Sequence, residues 1–78
     1  MYRVELKGLK PSDIGTGKPS TWHVNSRAKK DDYETVLNEA VWIYDRYCLK
    51  KDENSDGRFD GVRIVNSETG HIEWCRFF

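Results

Sequence analysis

Seventy-eight residues with 13 Lys and Arg balanced by 13 Asp and Glu suit one domain with one core, burying about 60–65% of the surface its unfolded form exposes. That leaves little room for an enclosed active site, while three Trp, four Tyr and three Phe in a chain only 37% hydrophobic place much of the burial on rings and argue against a disordered segment. No apolar run has the length of a signal peptide or of a membrane span of ~18 residues, and two cysteines, Cys48 and Cys75, are too few for a secreted disulfide scaffold. The expectation is a cytoplasmic protein with reduced, core-lining thiols, no membrane association and no cofactor.

Charge is unevenly spread. Residues 1–30 hold seven basic and two acidic side chains, residues 31–60 four and nine, and residues 61–78 two of each. A basic first third followed by an acidic middle gives a polar field able to steer a charged partner.

Tyr2, Val4 and Leu6 alternate with Arg3, Glu5 and Lys7, the period-two pattern of a half-buried strand that ends at Gly8. The stretch 9–20 contains Pro11, Gly15, Gly17 and Pro19 and follows neither periodicity, so it reads as a flexible connecting loop or flap. Residues 21–25 form a second short strand, with Trp22 and Val24 on one face and His23 on the other. Val36, Leu37, Ala40, Val41, Ile43, Tyr44 and Tyr47 then mark an amphipathic helix over about 31–49. Asp31 is read as its N-cap, with Glu34 closing a capping-box-like exchange; Arg46, Lys50 and Lys51 sit at the end that the helix dipole favours for cations. A polar helix-to-strand turn occupies about 50–58. Phe59, Val62, Ile64 and Val65 supply a third strand, and Ile72, Trp74, Cys75, Phe77 and Phe78 a fourth. Asn66-Ser67-Glu68-Thr69-Gly70 joins them as a hairpin loop in which Gly70 takes the positive φ. The predicted fold is a single α+β domain over residues 1–78, in the order β-β-α-β-β. One helix covers one face of an antiparallel sheet of three to four strands, and the other face is left partly open.

Four patterns could carry chemistry. Asp52, Asn54, Asp56 and Asp60, with Gly57 between them, match positions 1, 3, 5 and 9 of an EF-hand calcium loop and the glycine at position 6. Position 12, where that loop needs a bidentate acid, is Arg63, and a strand follows in place of the exiting helix; loop 52–60 is therefore read as a solvated turn, with weak calcium binding as the alternative. Gly15-Thr16-Gly17-Lys18 lacks the phosphate-binding loop's first glycine, because Ser12 stands there, and Pro19 removes an N–H donor. His71, Glu73 and Cys75 share a strand face, and Cys48 and His23 would complete the residue types of a zinc site or a Cys–His pair. Residues four apart in a strand are however about 13 Å apart, whereas zinc holds its ligand atoms within about 2.3 Å. Arg27, Lys29 and Lys30, near Trp22, could meet phosphates while the ring stacks on a base, although zero net charge weakens nonspecific nucleic-acid binding.

Large rings off the core stripe are interface candidates. Trp42 lies between Val41 and Ile43 and either widens the core-facing arc or points outward; Tyr33, Phe77 and Phe78 are the other rings to truncate first. Together the candidate partner-binding residues are Trp22, Arg27, Lys29, Lys30, Tyr33 and Trp42.

Residues 22–47, a short strand, an Asp-rich cap and then Val36-Leu37-Asn38-Glu39-Ala40-Val41-Trp42-Ile43-Tyr44, resemble small phage-encoded proteins that bind and inhibit host enzymes, such as bacterial RNA polymerase inhibitors and anti-CRISPR proteins. The resemblance implies a stoichiometric protein ligand presenting charged and aromatic surface. The functional expectation is a non-enzymatic protein-binding module, monomeric or homodimeric, of a phage or mobile-element accessory type. A nucleic-acid-binding accessory protein using the basic segment 18–30 is the alternative.

Overall fold

The computed structural model describes residues 1–9, 11–13, 15–49 and 59–77, with the backbone alone at Pro11, Ser26, Arg27 and Ala28. Strand β1 (Tyr2–Gly8) leads through a 3-10 turn at Pro11–Asp13 to β2 (Thr21–Lys30), helix α1 (Tyr33–Ile43) and a π-helical turn at Tyr44–Leu49, followed by β3 (Phe59–Asn66) and β4 (Ile72–Phe77). The four strands form one antiparallel sheet in the order β2-β1-β3-β4. The first strand of the chain thus becomes a central one, and β2 and β4 form the edges. The predicted α+β class, element order, single covering helix and partly open sheet face all hold.

Alternation in β1 and β3 decides which face is covered. Val4 pairs with Ile64 and Leu6 with Val62, and all four are buried with Val36, Ala40, Ile43, Tyr44 and Cys48 in a single core. Trp74, opposite Ile64, packs on the rim of that core with Tyr2, Tyr33, Leu37, Tyr47 and Phe59. The Tyr44 hydroxyl donates to the Phe77 carbonyl at 2.8 Å, tying the end of the helix to β4. The β3–β4 loop closes as expected: Gly70 has φ +77° and its N–H donates to the Asn66 carbonyl at 2.8 Å, a backbone geometry that glycine adopts without strain.

Four local expectations are corrected. The N-cap is Asp32, not Asp31. Asp32 takes the extended φ/ψ of −88° and 115°, and its Oδ2 accepts from the Thr35 N–H at 3.2 Å and the Thr35 hydroxyl at 2.6 Å, so the partner three residues on is Thr35 and the exchange with Glu34 does not form. These bonds from Thr35, hydroxyl first and then backbone, hold the Asp32 carboxyl below its usual 3.8. Asp32→Ala is therefore expected to lower the thermal midpoint at pH 7, and the loss should be full above pH 3.8 and shrink as pH falls through the lowered folded value.

The α-helix is shorter than 31–49: it ends at Ile43, and the chain continues as a π turn to Leu49 that still delivers Tyr44 and Cys48 to the core. Strand β2 is longer than 21–25. Its pairing with β1 passes from Val4–Asn25 to Tyr2–Lys30 through a register shift, a bulge that carries the strand through Arg27, Lys29 and Lys30 where a loop was expected. Within the 9–20 segment, Pro11–Asp13 is a 3-10 turn, and Thr16 donates to the Asp13 carbonyl from its N–H at 3.2 Å and from its hydroxyl at 2.6 Å.

The fourth correction concerns the thiols. Cys48 is buried as expected, but Cys75 is exposed on β4. Burial, with the charge of Asp60 adding to it, pushes the Cys48 thiol up to about 11 from 9.0. With one equivalent of thiol reagent at pH 8, Cys75 should be modified and Cys48 should react only on unfolding; equal rates would contradict this placement. The linkage is also defined: the raised folded value makes the Cys48 contribution to stability complete below pH 9.0 and lost as pH rises through about 11.

Candidate functional site

The sheet face turned away from α1 carries the side chains that alternate with the core residues. Three neighbouring rows can be read from the strand registers. Arg3 stands opposite Val65; Val24, Glu5, Arg63 and Cys75 line up across all four strands; and Trp22, Lys7, Gly61 and Phe77 do the same one row along.

Glu5 is the organiser of this face. It is only 5% exposed, and a carboxylate that far from water requires cationic partners. Arg3 Nε donates to its Oε2 at 2.8 Å, and Arg63 Nε and Nη2 both lie 2.6 Å from its Oε1. Burial alone would raise the Glu5 carboxyl. The hydrogen bonds and charges of Arg3 and Arg63 outweigh that and hold it below the ordinary 4.5. The carboxylate therefore stays ionised at neutral pH and fixes two guanidiniums side by side.

Arg63 is held from a second side. Its guanidinium carbon lies 4.1 Å from the Trp22 ring centroid, a cation–π contact. Trp22 in turn meets Phe77 edge to face, with centroids 6.0 Å apart and planes at 61°. Those two residues sit on opposite edges of the sheet, and the small residue between them makes the contact feasible: a Cβ built on Gly61 would come within 3.1 Å of Phe77 Cδ1. Phe77 remains 60% exposed and Val24 49%, so the face presents wide apolar surface around fixed cations. Gly61→Val is expected to preserve the far-UV circular dichroism while abolishing ring-to-ring nuclear Overhauser effects between Trp22 and Phe77. Persistence of those effects would show that Phe77 is not seated over Gly61.

Beside this cluster, Lys7 Nζ lies 3.6 Å from Asp60 Oδ2 and donates to the Ser20 hydroxyl at 2.7 Å. His71 Nδ1 lies 3.2 Å from Glu73 Oε1, so Glu73 is engaged at the hairpin end of β4.

The structure divides the residues that sequence reading grouped together. Trp22 belongs to the open sheet face. Arg27 is in β2, with Lys29 and Lys30 exposed at the end of that strand. Tyr33 is half-buried, its ring edge-on to Tyr2 at 5.3 Å and packed on the core. Trp42 points outward from the helix, 53% exposed, with the Arg46 guanidinium 5.1 Å from its ring. Trp22 and Trp42 thus lie on opposite sides of the molecule. Asp31, Asp32, Glu34 and Glu39 are exposed on the helix side, which turns the uneven charge along the chain into two surfaces: acidic around the helix, basic and aromatic across the sheet.

Of the proposed calcium ligands, Asp52, Asn54 and Asp56 lie outside the described residues. Asp60 stands at the start of β3, beside Lys7 and Ser20. No group of three His, Cys, Asp or Glu able to hold a metal occurs among the described residues. The described residues also contain no helix long and apolar enough to cross a membrane.

Sequence reading missed the cluster's centre. Alternation places Arg3, Glu5 and Lys7 on one face, but only the β1–β3 register sets Glu5 opposite Arg63, a residue the sequence offered merely as the cation at position 12 of a calcium loop. No family model, curated protein or solved structure matches the chain.

Proposed function

We propose that the chain is a non-enzymatic module that binds another protein through its uncovered sheet face. The observation that carries this reading is the layer formed by Trp22, Arg63, Glu5 and Arg3, with Phe77 across Gly61. Trp, Tyr and Arg dominate binding energy at protein interfaces, especially where their geometry is fixed before the partner arrives. Here the partner would meet guanidiniums already oriented by a buried acid and a ring already seated on the sheet. A small phage or mobile-element accessory protein acting on a host protein, the class that residues 22–47 resemble, fits this reading. It would act by occupancy, with no chemistry of its own.

The test is affinity capture from bacterial lysate with the tagged chain and two variants. Trp22→Ala with Phe77→Ala should lose a stoichiometric protein partner that the wild type and Trp42→Ala both retain. Capture that follows Trp42, or that ignores all three rings, would reject the sheet face.

A second reading has its own observation. Strand β2 runs along one edge of the sheet from Trp22 to the exposed Lys29 and Lys30 at its far end, so a single strand of nucleic acid following that edge could stack a base on the ring and set phosphates on the lysines. Binding to short single-stranded DNA that weakens steeply with salt, and that Lys29→Gln with Lys30→Gln abolishes, would favour it.

A further inference from the structure

The two guanidiniums on the sheet face share one carboxylate. Arg3 Nε donates to Glu5 Oε2, and Arg63 Nε and Nη2 both lie 2.6 Å from Glu5 Oε1; neither guanidinium is paired with a second carboxylate among the described residues. Glu73, the nearby acid of β4, is bonded by His71 instead, and Lys7 is engaged by Asp60 and Ser20. Two guanidiniums against one carboxylate therefore leave one positive charge in excess within this cluster, on planar groups whose orientation Glu5 already sets. Arg3 and Arg63 side chains are 28% and 22% exposed, enough for a ligand to reach them and dry enough for the contact to gain strength over one in open water.

We infer that this pair is an anion subsite for a carboxylate side chain of the protein partner, an Asp or Glu flanked by apolar residues that cover Val24 and Phe77. The inference rests on the protein-binding reading and specifies its chemistry. A single carboxylate matches the single charge in excess, and two guanidiniums side by side offer it paired N–H donors. The apolar rim matches a protein segment better than a ribose-phosphate chain. A polyanion would also have to approach a molecule of zero net charge whose helix side is acidic, which disfavours binding that depends on many phosphate contacts.

Random linear peptides displayed on phage and selected against the intact chain test the assignment directly, with an oligothymidylate as a parallel probe. Selected peptides should carry an Asp or Glu beside aromatic or aliphatic residues. Changing that acid to its amide should weaken binding to the wild-type chain by about tenfold or more, a comparison that requires no protein variant. Arg63→Lys and Arg3→Lys, each checked by circular dichroism, should reproduce that loss by replacing a planar fork with a point charge, while Trp42→Ala should not. Binders without an acid, binders indifferent to its amidation, or a selection that yields none would overturn the carboxylate subsite. If the oligothymidylate binds more tightly than any peptide and loses affinity in Arg63→Lys, the anion is a phosphate and the inference fails. Should the peptides fail while capture in lysate still depends on Trp22 and Phe77, the carboxylate subsite falls and the binding module stands; loss of both would remove the protein-binding reading itself.

Discussion

Ile64→Ala is expected to destabilise the fold by about 4 kcal/mol, the upper part of the range for truncating a fully buried aliphatic side chain. Ile64 is wholly buried and is the largest side chain in that state among the described residues. It lies in the middle of β3 between Val4 and Trp74, so the truncation opens a cavity that both strands and α1 border. Neighbours can relax into it only by moving strand backbone, because β3 is hydrogen-bonded on both sides. A domain of this length has a total stability of roughly 4–12 kcal/mol, and the variant should sit near its unfolding transition at room temperature. Urea unfolding followed by circular dichroism measures the change, and a loss under about 1 kcal/mol would contradict the placement of Ile64 at the centre of the core.

Glu5→Ala should rank second, at roughly 2–3 kcal/mol. Removing one partner of a fully buried ion pair costs about 3–5 kcal/mol because the remaining charge is left unpaired, and that figure is discounted here because the two arginines retain some contact with water. The acid also supplies a pH signature that a packing defect would lack. Its folded value lies below 4.5, so its contribution is complete above pH 4.5 and is lost as pH falls through the lowered folded value. The stability difference between wild type and Glu5→Gln should thus be large at pH 7 and shrink towards pH 3. A difference that did not depend on pH would mean that Glu5 acts by shape and not by charge.

Much of the fold is legible in local sequence. Period-two alternation in residues 2–7 marks a strand and assigns its faces, the apolar stripe of Val36, Ala40 and Ile43 marks the helix, and Asn66 to Gly70 announces a hairpin, because in each case the signal lies within a few residues of the structure it specifies. The misreadings share a cause. Strand β2 continues through Arg27, Lys29 and Lys30 because Tyr2 pairs with Lys30 across a bulge, a tertiary fact that overrides the loop-like look of a basic cluster. The shift of the cap from Asp31 to Asp32 turns on the backbone angles of adjacent aspartates, to which residue type is blind. The exposure of Cys75 follows from β4 being an edge strand, and edges are known only once strand order is known.

The candidate site is legible in fragments. Trp22 and the outward alternation of Arg3, Glu5 and Lys7 can be read directly, but the arrangement becomes a cluster only when β1 is placed between β2 and β3. Glu5 and Arg63 are 58 residues apart in sequence, and Trp22 and Phe77 touch across the width of the sheet because Gly61 carries no side chain. Local periodicity contains no information about such a row. Trp42 shows the converse: its position off the stripe correctly allowed an outward ring, but that ring belongs to the acidic helix side, remote from Trp22.

Backbone amide chemical shifts, measured with and without a peptide selected against the intact chain or a partner captured by it, test the central claim most directly. Perturbations are expected to concentrate in Arg3–Lys7 of β1, Trp22–Val24 of β2, Gly61–Arg63 of β3 and Cys75–Phe77 of β4, with the exposed side of α1 around Glu39 and Trp42 unchanged. Perturbations concentrated on α1, with the sheet strands silent, would contradict that claim.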